Sequence, residues 1–213
     1  MIETSTGLIL RTRPLTDTSL IVHWLTPDLG RLATVAKGAR RPKSPFSGKL
    51  DIFYLARFGF QRSRRSELHQ LREVGLEETH AVLRRDVRAV AQASYCAALV
   101  EQTTETETPV PAIFRLMTRV LEQLCHKAPP PQTVPAFELK LLAELGLQPD
   151  AEKEKLGPDL KQILRVLLEA DWPELSRLKL AAAQLGALDR FLRGFMEYHL
   201  GRVPRIRGQL KYF

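Results

Sequence analysis

Cysteine is almost absent from this chain. Only Cys96 and Cys125 occur in 213 residues, too few for a disulfide framework, so a reducing cytoplasm is the expected setting. No apolar run approaches the ~20 residues that a membrane-spanning helix needs. The start, Met1-Ile2-Glu3-Thr4, lacks the basic-then-apolar plan of a secretory leader. Catalytic signatures are missing as well. There is no CxxC, and Cys125 and His126 are adjacent rather than at ligand spacing, so no zinc site is legible. There is no GxSxG and no GxGxxG. Gly48-Lys49-Leu50 imitates the end of a phosphate loop, but Lys43 stands where the first glycine belongs and Leu50 has no hydroxyl for a metal. The carboxylate pair Glu77-Glu78 reads as a helix start that favours the dipole. His23 and His199 lie in apolar segments and read as hydrogen-bonded structural histidines. No residue is nominated for catalysis, and no cofactor or metal is expected.

Charge is present, and it is uneven. The whole chain carries +8 and is 44% hydrophobic, a globular composition rather than a disordered one. Residues 1–75 carry a net +7, residues 76–189 a net −4, and residues 190–213 a net +5. Two basic ends around an acidic middle suggest a polyanionic partner. For the C-terminal tail alone, a merely solvated surface explains the charge equally well.

The first 75 residues read as strands: Thr6 to Arg13, Thr18 to Thr26, Arg31 to Lys37, Leu50 to Phe60 and, more weakly, Ser66 to Glu73. Leu32, Thr34 and Ala36 share one face, as do Ile52, Tyr54, Ala56, Phe58 and Phe60. Five short strands fit a small closed barrel better than a half-sized sandwich with bare edges. From Leu76 the period becomes helical. Leu83, Val87, Val90, Ser94, Ala97 and Leu99 mark a first long helix, and Ile113, Leu116, Met117, Val120, Leu121 and Leu124 a second. Ala128-Pro129-Pro130-Pro131 breaks the pattern. Further helices follow around Phe137–Leu145, Leu160–Leu168, from Asp171 or Trp172, and Leu188–Leu200, the last closed by Gly201 and Pro204. The expected fold class is α+β: a barrel domain over 1–75 and a helical domain over 76–213 with a basic C-terminal tail.

The sharpest local feature is Lys37-Gly38-Ala39-Arg40-Arg41-Pro42-Lys43-Ser44, with four cations at the exit of a predicted strand. Gly38 allows an unusual turn and Pro42 stiffens the loop. Arginine grips phosphate with a fork and lysine with a point charge, and such binding is salt-dependent and blind to sequence. Arg62, Arg64 and Arg65 form a second cluster expected to extend the track. Phe58 and Phe60 read as core, whereas Phe46, between Pro45 and Ser47, reads as a candidate for stacking on bases.

These segments resemble the bacterial RecO family of recombination mediators. The resemblance runs from Gly7-Leu8-Ile9-Leu10-Arg11-Thr12-Arg13 through Asp17-Thr18-Ser19-Leu20-Ile21-Val22 to a peak at Ala36–Ser44. It resumes at Phe137-Glu138-Leu139-Lys140-Leu141-Leu142-Ala143-Glu144-Leu145-Gly146 and at Glu197-Tyr198-His199-Leu200-Gly201-Arg202. It implies an N-terminal five-stranded OB-type barrel and a helical domain. It also implies single- and double-stranded DNA binding, strand annealing and a partnership with RecR. Contact with the acidic, apolar tail of single-strand-binding protein, and indirect help to RecA in DNA repair, complete the expectation, with a nucleoid-associated cytoplasmic location. Many relatives carry a four-cysteine zinc module after the Leu-Gly motif. Here Leu145-Gly146-Leu147-Gln148-Pro149-Asp150 is followed by Ala151-Glu152-Lys153-Glu154-Lys155 and no cysteine, so the chain resembles a variant lacking that module. The expected DNA contacts are Lys37, Arg40, Arg41, Lys43, Arg62, Arg64, Arg65 and, in the tail, Arg202, Arg205 and Arg207, with Lys211 nearby. An RNA- or ribosome-associated OB-domain factor is the alternative, because nothing legible reads a 2′-hydroxyl.

Overall fold

The computed structural model describes residues 1–126, 129–150, 154 and 156–212, without the side chains of 211 and 212. The break at Ala128 and most of the Ala151–Lys155 segment lie outside the described residues. The chain forms two compact units. One comprises Met1–Ala81 with Thr104–Arg115; the other comprises Val82–Thr103 with Leu116–Phe213.

The first unit is a closed barrel of five strands in the order β1-β2-β3-β5-β4. The strands are β1 (Glu3–Pro14), β2 (Leu20–Thr26), β3 (Gly30–Ala36), β4 (Leu55–Gln61) and β5 (Leu68–Glu78). A parallel pairing of Ala33–Val35 on β3 with Leu68–Gln70 on β5 closes it, and all the other pairings are antiparallel. Five strands in this order make the partly Greek-key barrel of the OB type. Alternation along β3 buries Gly30, Leu32, Thr34 and Ala36, as its sequence pattern predicts. Trp24 and Phe58 stack at 4.0 Å in the interior, and the Trp24 indole N–H donates to the Thr34 hydroxyl at 2.8 Å. Pairing the indole N–H in this way avoids the penalty of an unsatisfied buried donor.

Two strand expectations change. Residues 50–54, expected to begin the fourth strand, form turns instead, with Phe53 at φ 65°. The Phe53 N–H donates to the Ile9 carbonyl at 2.7 Å and the Ile9 N–H donates to that of Tyr54 at 2.9 Å. This segment therefore satisfies its backbone against a shift in the β1 register near Ile9. Strand β5 runs on to Glu78 because Leu55 and Ala56 of β4 pair with Glu78 and Leu76.

Residues 104–110 lie along the start of β3. The Glu107 N–H donates to the Arg31 carbonyl at 2.8 Å, and the Arg31 Nε donates to the Thr104 hydroxyl at 2.8 Å. Gly30 (φ +66°) is obligatory here, since a Cβ would stand 1.9 Å from the Thr108 carbonyl oxygen.

The second unit contains α1 (Val87–Thr103), most of α2 (Pro111–Leu124), α3 (Thr133–Glu144), α4 (Pro158–Glu169), α5 (Trp172–Arg177) and α6 (Ala182–Leu200). A 3-10 helix, Arg205–Tyr212, follows. Helix α3 is central: it packs against α1, α4 and α6. The α2 stripe Ile113, Leu116, Met117, Val120, Leu121 and Leu124 is buried as predicted. The first helix differs. Asp86 starts it by accepting the Arg88 N–H at 2.8 Å, leaving Leu83 in a separate 3-10 turn and Val87 69% exposed. Its buried residues are Ala89, Ala93, Tyr95, Cys96, Ala97, Leu99 and Val100, so Ala97 and Leu99 of the expected stripe are buried and the small residues Ala89, Ala93 and Cys96 join them. Among the described residues no helix is long and apolar enough to cross a membrane.

Candidate nucleic-acid interface

The loop between β3 and β4 is folded rather than extended. Successive turns run through it: the N–H groups of Arg41, Ser44, Ser47 and Lys49 donate to the carbonyls of Gly38, Arg41, Ser44 and Phe46 at 3.0–3.1 Å. Gly38 enters the loop at φ +70°. The Arg40 N–H donates to the Thr18 carbonyl at 3.0 Å and its guanidinium donates to the Thr16 carbonyl at 3.2 Å. These bonds brace the loop against the β1–β2 turn. Phe46 is only 7% exposed and belongs to the barrel core with Val22, Phe58 and Leu71.

That burial corrects the stacking role expected of Phe46. Its ring packs into the barrel core and pins the loop, so it presents no open face on which a base could stack. Phe58 and Phe60 are core, as expected.

Lys37, Arg40, Arg41 and Lys43 are all exposed. Among the described residues, Lys37, Arg41 and Lys43 have no ion-pair partner, and Arg40 makes only its carbonyl contacts. Four like charges fall within seven residues of a braced loop, and the fields of charges closer than a Debye length add. Beside them opens a cleft of about 460 Å³, lined by Leu20, Ala39, Arg40, Arg41, Pro42 and Phe46, and further by Ser47, Gly48, Leu50, Asp51 and Tyr54. Tyr54 is a lining residue that the sequence reading assigned to a strand face.

The second cluster lies elsewhere. The Arg62–Glu67 turn precedes Leu68, which pairs with Ala33 at the middle of β3, and Arg62 meets Glu107, whose N–H donates to the Arg31 carbonyl near the start of that strand, whereas Lys37 follows its end. The two basic sites thus lie toward opposite ends of β3 and do not form one adjacent track. Arg62 is also neutralised. Its Nε donates to Glu3 at 3.0 Å and its NH1 to Glu107 at 2.7 Å. The hydrogen bond with Arg62 holds the Glu3 carboxyl below its ordinary range, and the bond to Glu3 raises the guanidinium in turn. Buried His69 joins the network: its Nδ1 accepts the Ser63 N–H at 3.3 Å, so Nε2 is assigned as the donor to Glu107 at 2.7 Å. Arg64 and Arg65 remain exposed.

In the tail, Arg202 and Arg205 are exposed, and the side chain of Lys211 lies outside the described residues. Arg207 corrects the expectation of a DNA contact. It is 6% exposed, with Nε 2.7 Å from Glu138 and NH1 2.8 Å from Asp189. The Tyr95 hydroxyl donates to the same Glu138 at 2.6 Å. Burial works against the charge on Arg207, but Glu138, Tyr95 and Asp189 together more than offset it and raise its pKa. Burial and the neighbouring carboxylate push the Tyr95 hydroxyl far up. Sequence reasoning missed this centre; the available signal was Glu138 itself, an acid set between the buried Phe137 and Leu139, where a carboxylate needs a buried partner. Among the described residues no group of three or more His, Cys, Asp or Glu is placed to hold a metal ion.

The strand order and the cation-bearing cap at one end define the class: an OB-type barrel with an appended helical unit. Within that class, residues 1–80 match the family described as recombination protein O N terminal, and residues 84–156 match recombination protein O C terminal. The chain belongs to the RecO family. It is 32% identical over 149 residues to a DNA repair protein RecO of Exiguobacterium sibiricum, covering 70% of this chain and 59% of that one. It is 30% identical over 150 residues to the Bacillus subtilis protein of the same name, covering 70% and 58%. A Burkholderia pseudomallei relative is 35% identical over 140 residues, covering 66% of this chain and 50% of its own. The matched region therefore spans between half and three fifths of these curated relatives.

Proposed function

We propose that this chain is a non-catalytic DNA-binding mediator of DNA repair and recombination, acting in the cytoplasm on nucleoid DNA. The observation that carries the reading is the braced β3–β4 loop, which displays Lys37, Arg40, Arg41 and Lys43 to solvent. Each phosphate these groups neutralise releases condensed counterion, so affinity rises as salt falls and does not depend on sequence. Preorganisation by the Phe46 plug and the turns lowers the ordering entropy that a flexible arm would lose on binding. The relatives' shared name, DNA repair protein, supports DNA rather than RNA as the polyanion.

Arg202 and Arg205 give the helical unit a separate basic site, with Arg64 and Arg65 a minor third. Two sites on one chain hold two strands, and strands whose charge is neutralised repel each other less, which is a physical route to annealing. Partnership with RecR, contact with the tail of single-strand-binding protein and indirect loading of RecA complete the proposal, with the helical unit as the protein-binding part.

The test is fluorescence anisotropy with labelled single-stranded and duplex DNA, together with an annealing assay. Replacing all four loop cations by alanine is expected to weaken both forms of binding at least about tenfold and to slow annealing, with the unfolding transition unchanged. Full binding by that variant rejects the reading. A pull-down with RecR and single-strand-binding protein tests the partners, and retention of neither rejects them.

A further inference from the structure

The cleft beside the basic loop combines features that a phosphate track alone does not require. Leu20, Leu50 and Tyr54 each pack one side against the barrel core and line the cleft with another. Arg40 and Arg41 are exposed cations on the same lining, and Asp51 is its one acid. A volume of about 460 Å³ falls within the range of small-ligand sites, about 300–1,000 Å³. The surrounding backbone is fixed by turns, by the Phe46 plug and by the Ile9–Phe53–Tyr54 hydrogen bonds, so the cleft is formed before any ligand arrives.

We infer that this cleft takes one unpaired nucleobase of a strand whose phosphates lie on the loop cations. The inference rests on the DNA-binding reading above and deepens it. Apolar walls and the Tyr54 ring accept the flat face of a base. The arginines hold the flanking phosphates. Asp51 repels a phosphate but accepts a hydrogen bond from a base N–H. A base inside a duplex is stacked and paired and cannot enter without being extruded, at a cost of a few kcal/mol. The cleft therefore makes the loop discriminate: the cations bind single strands and duplexes alike, and the cleft adds affinity for single strands only. This supplies a base contact in place of the one that the buried Phe46 ring cannot make.

The experiment compares three probes at matched salt: an oligothymidine, the same backbone with abasic sites throughout, and a duplex of equal length. Two variants of the full chain are used. Ser47→Trp fills the cleft from an exposed position, and Tyr54→Leu removes the ring while keeping an apolar group against the core. A base contact of this kind is worth about 1–3 kcal/mol, so the parent should prefer the base-bearing strand by about 5- to 150-fold. Both variants should lose most of that preference, with abasic and duplex binding unchanged and with the same slope against salt. Equal binding of base-bearing and abasic strands by the parent overturns the inference, as does a preference that survives both substitutions. Displacement by Ser47→Trp of an acidic, apolar-ended peptide but not of oligothymidine overturns it too, in favour of a protein ligand. These failures are distinct from failure of the DNA-binding reading, in which the loop-alanine variant would bind every probe as the parent does.

Discussion

Replacing Arg207 by methionine keeps much of the side chain's volume but removes the cation from a buried carboxylate. Glu138 is 0% exposed and accepts from Arg207 through both oxygens, at 2.7 and 3.1 Å. After the change it retains only the Tyr95 hydroxyl at 2.6 Å. An uncompensated buried charge of this sort costs about 3–5 kcal/mol, which lowers the melting temperature by on the order of 10 °C. Adding Glu138→Gln removes the charge while its carbonyl still accepts from Tyr95. The double variant should therefore recover much of the loss, with a coupling of about 1–3 kcal/mol. The assay is urea unfolding followed by the helical circular dichroism signal, alongside DNA binding at fixed salt. Arg207→Met is expected to lose stability and keep its DNA affinity. Unchanged stability with weakened DNA binding would refute the reasoning and return Arg207 to the list of phosphate contacts.

Phe46→Ala should destabilise the barrel by about 3–5 kcal/mol in denaturant titrations, whereas a solvent-facing stacking residue would leave stability unchanged. Arg62→Ala should change stability by less than about 1 kcal/mol and leave DNA affinity nearly intact, because Glu3 and Glu107 already neutralise it; a tenfold loss of affinity would contradict this. Burial, then Arg11, Arg13 and Arg31, depress His23 from 6.5 to about 4. The unfolded chain thus binds more protons between those values, and the stability from neutral His23 is complete above pH 6.5 and lost as pH falls toward 4. His23→Gln should flatten the stability profile across that window, and an unaltered profile would show that another group is responsible.

The alternation of Leu32, Thr34 and Ala36 and the i, i+3, i+4 stripe of α2 were readable because each element buries one face at its own period. The Leu50–Tyr54 segment was not. Its alternation imitates a strand, yet its hydrogen-bonding partner is Ile9, more than forty residues earlier, and Phe53 takes a left-handed turn that no local pattern announces. Phe46 looked exposed because its neighbours Pro45 and Ser47 are; the barrel end that swallows it is a tertiary fact. Arg207 sits in a basic run indistinguishable from Arg202 and Arg205, and only Glu138, 69 residues away, separates it from them. The loop cations were the most legible part of the site, because a strand exit carrying glycine, proline and four charges has few other uses.

The slope of DNA affinity against salt tests the central claim most directly. Each phosphate contact on a single strand contributes about 0.7 to the slope of log K against log salt. Replacing Lys37, Arg41 and Lys43 together by alanine should therefore lower its magnitude by about 2, while alanine at Arg64 and Arg65 lowers it less. An unchanged slope for the loop variant, or a larger drop from Arg64 and Arg65, would place the DNA at the other end of the barrel and contradict the account.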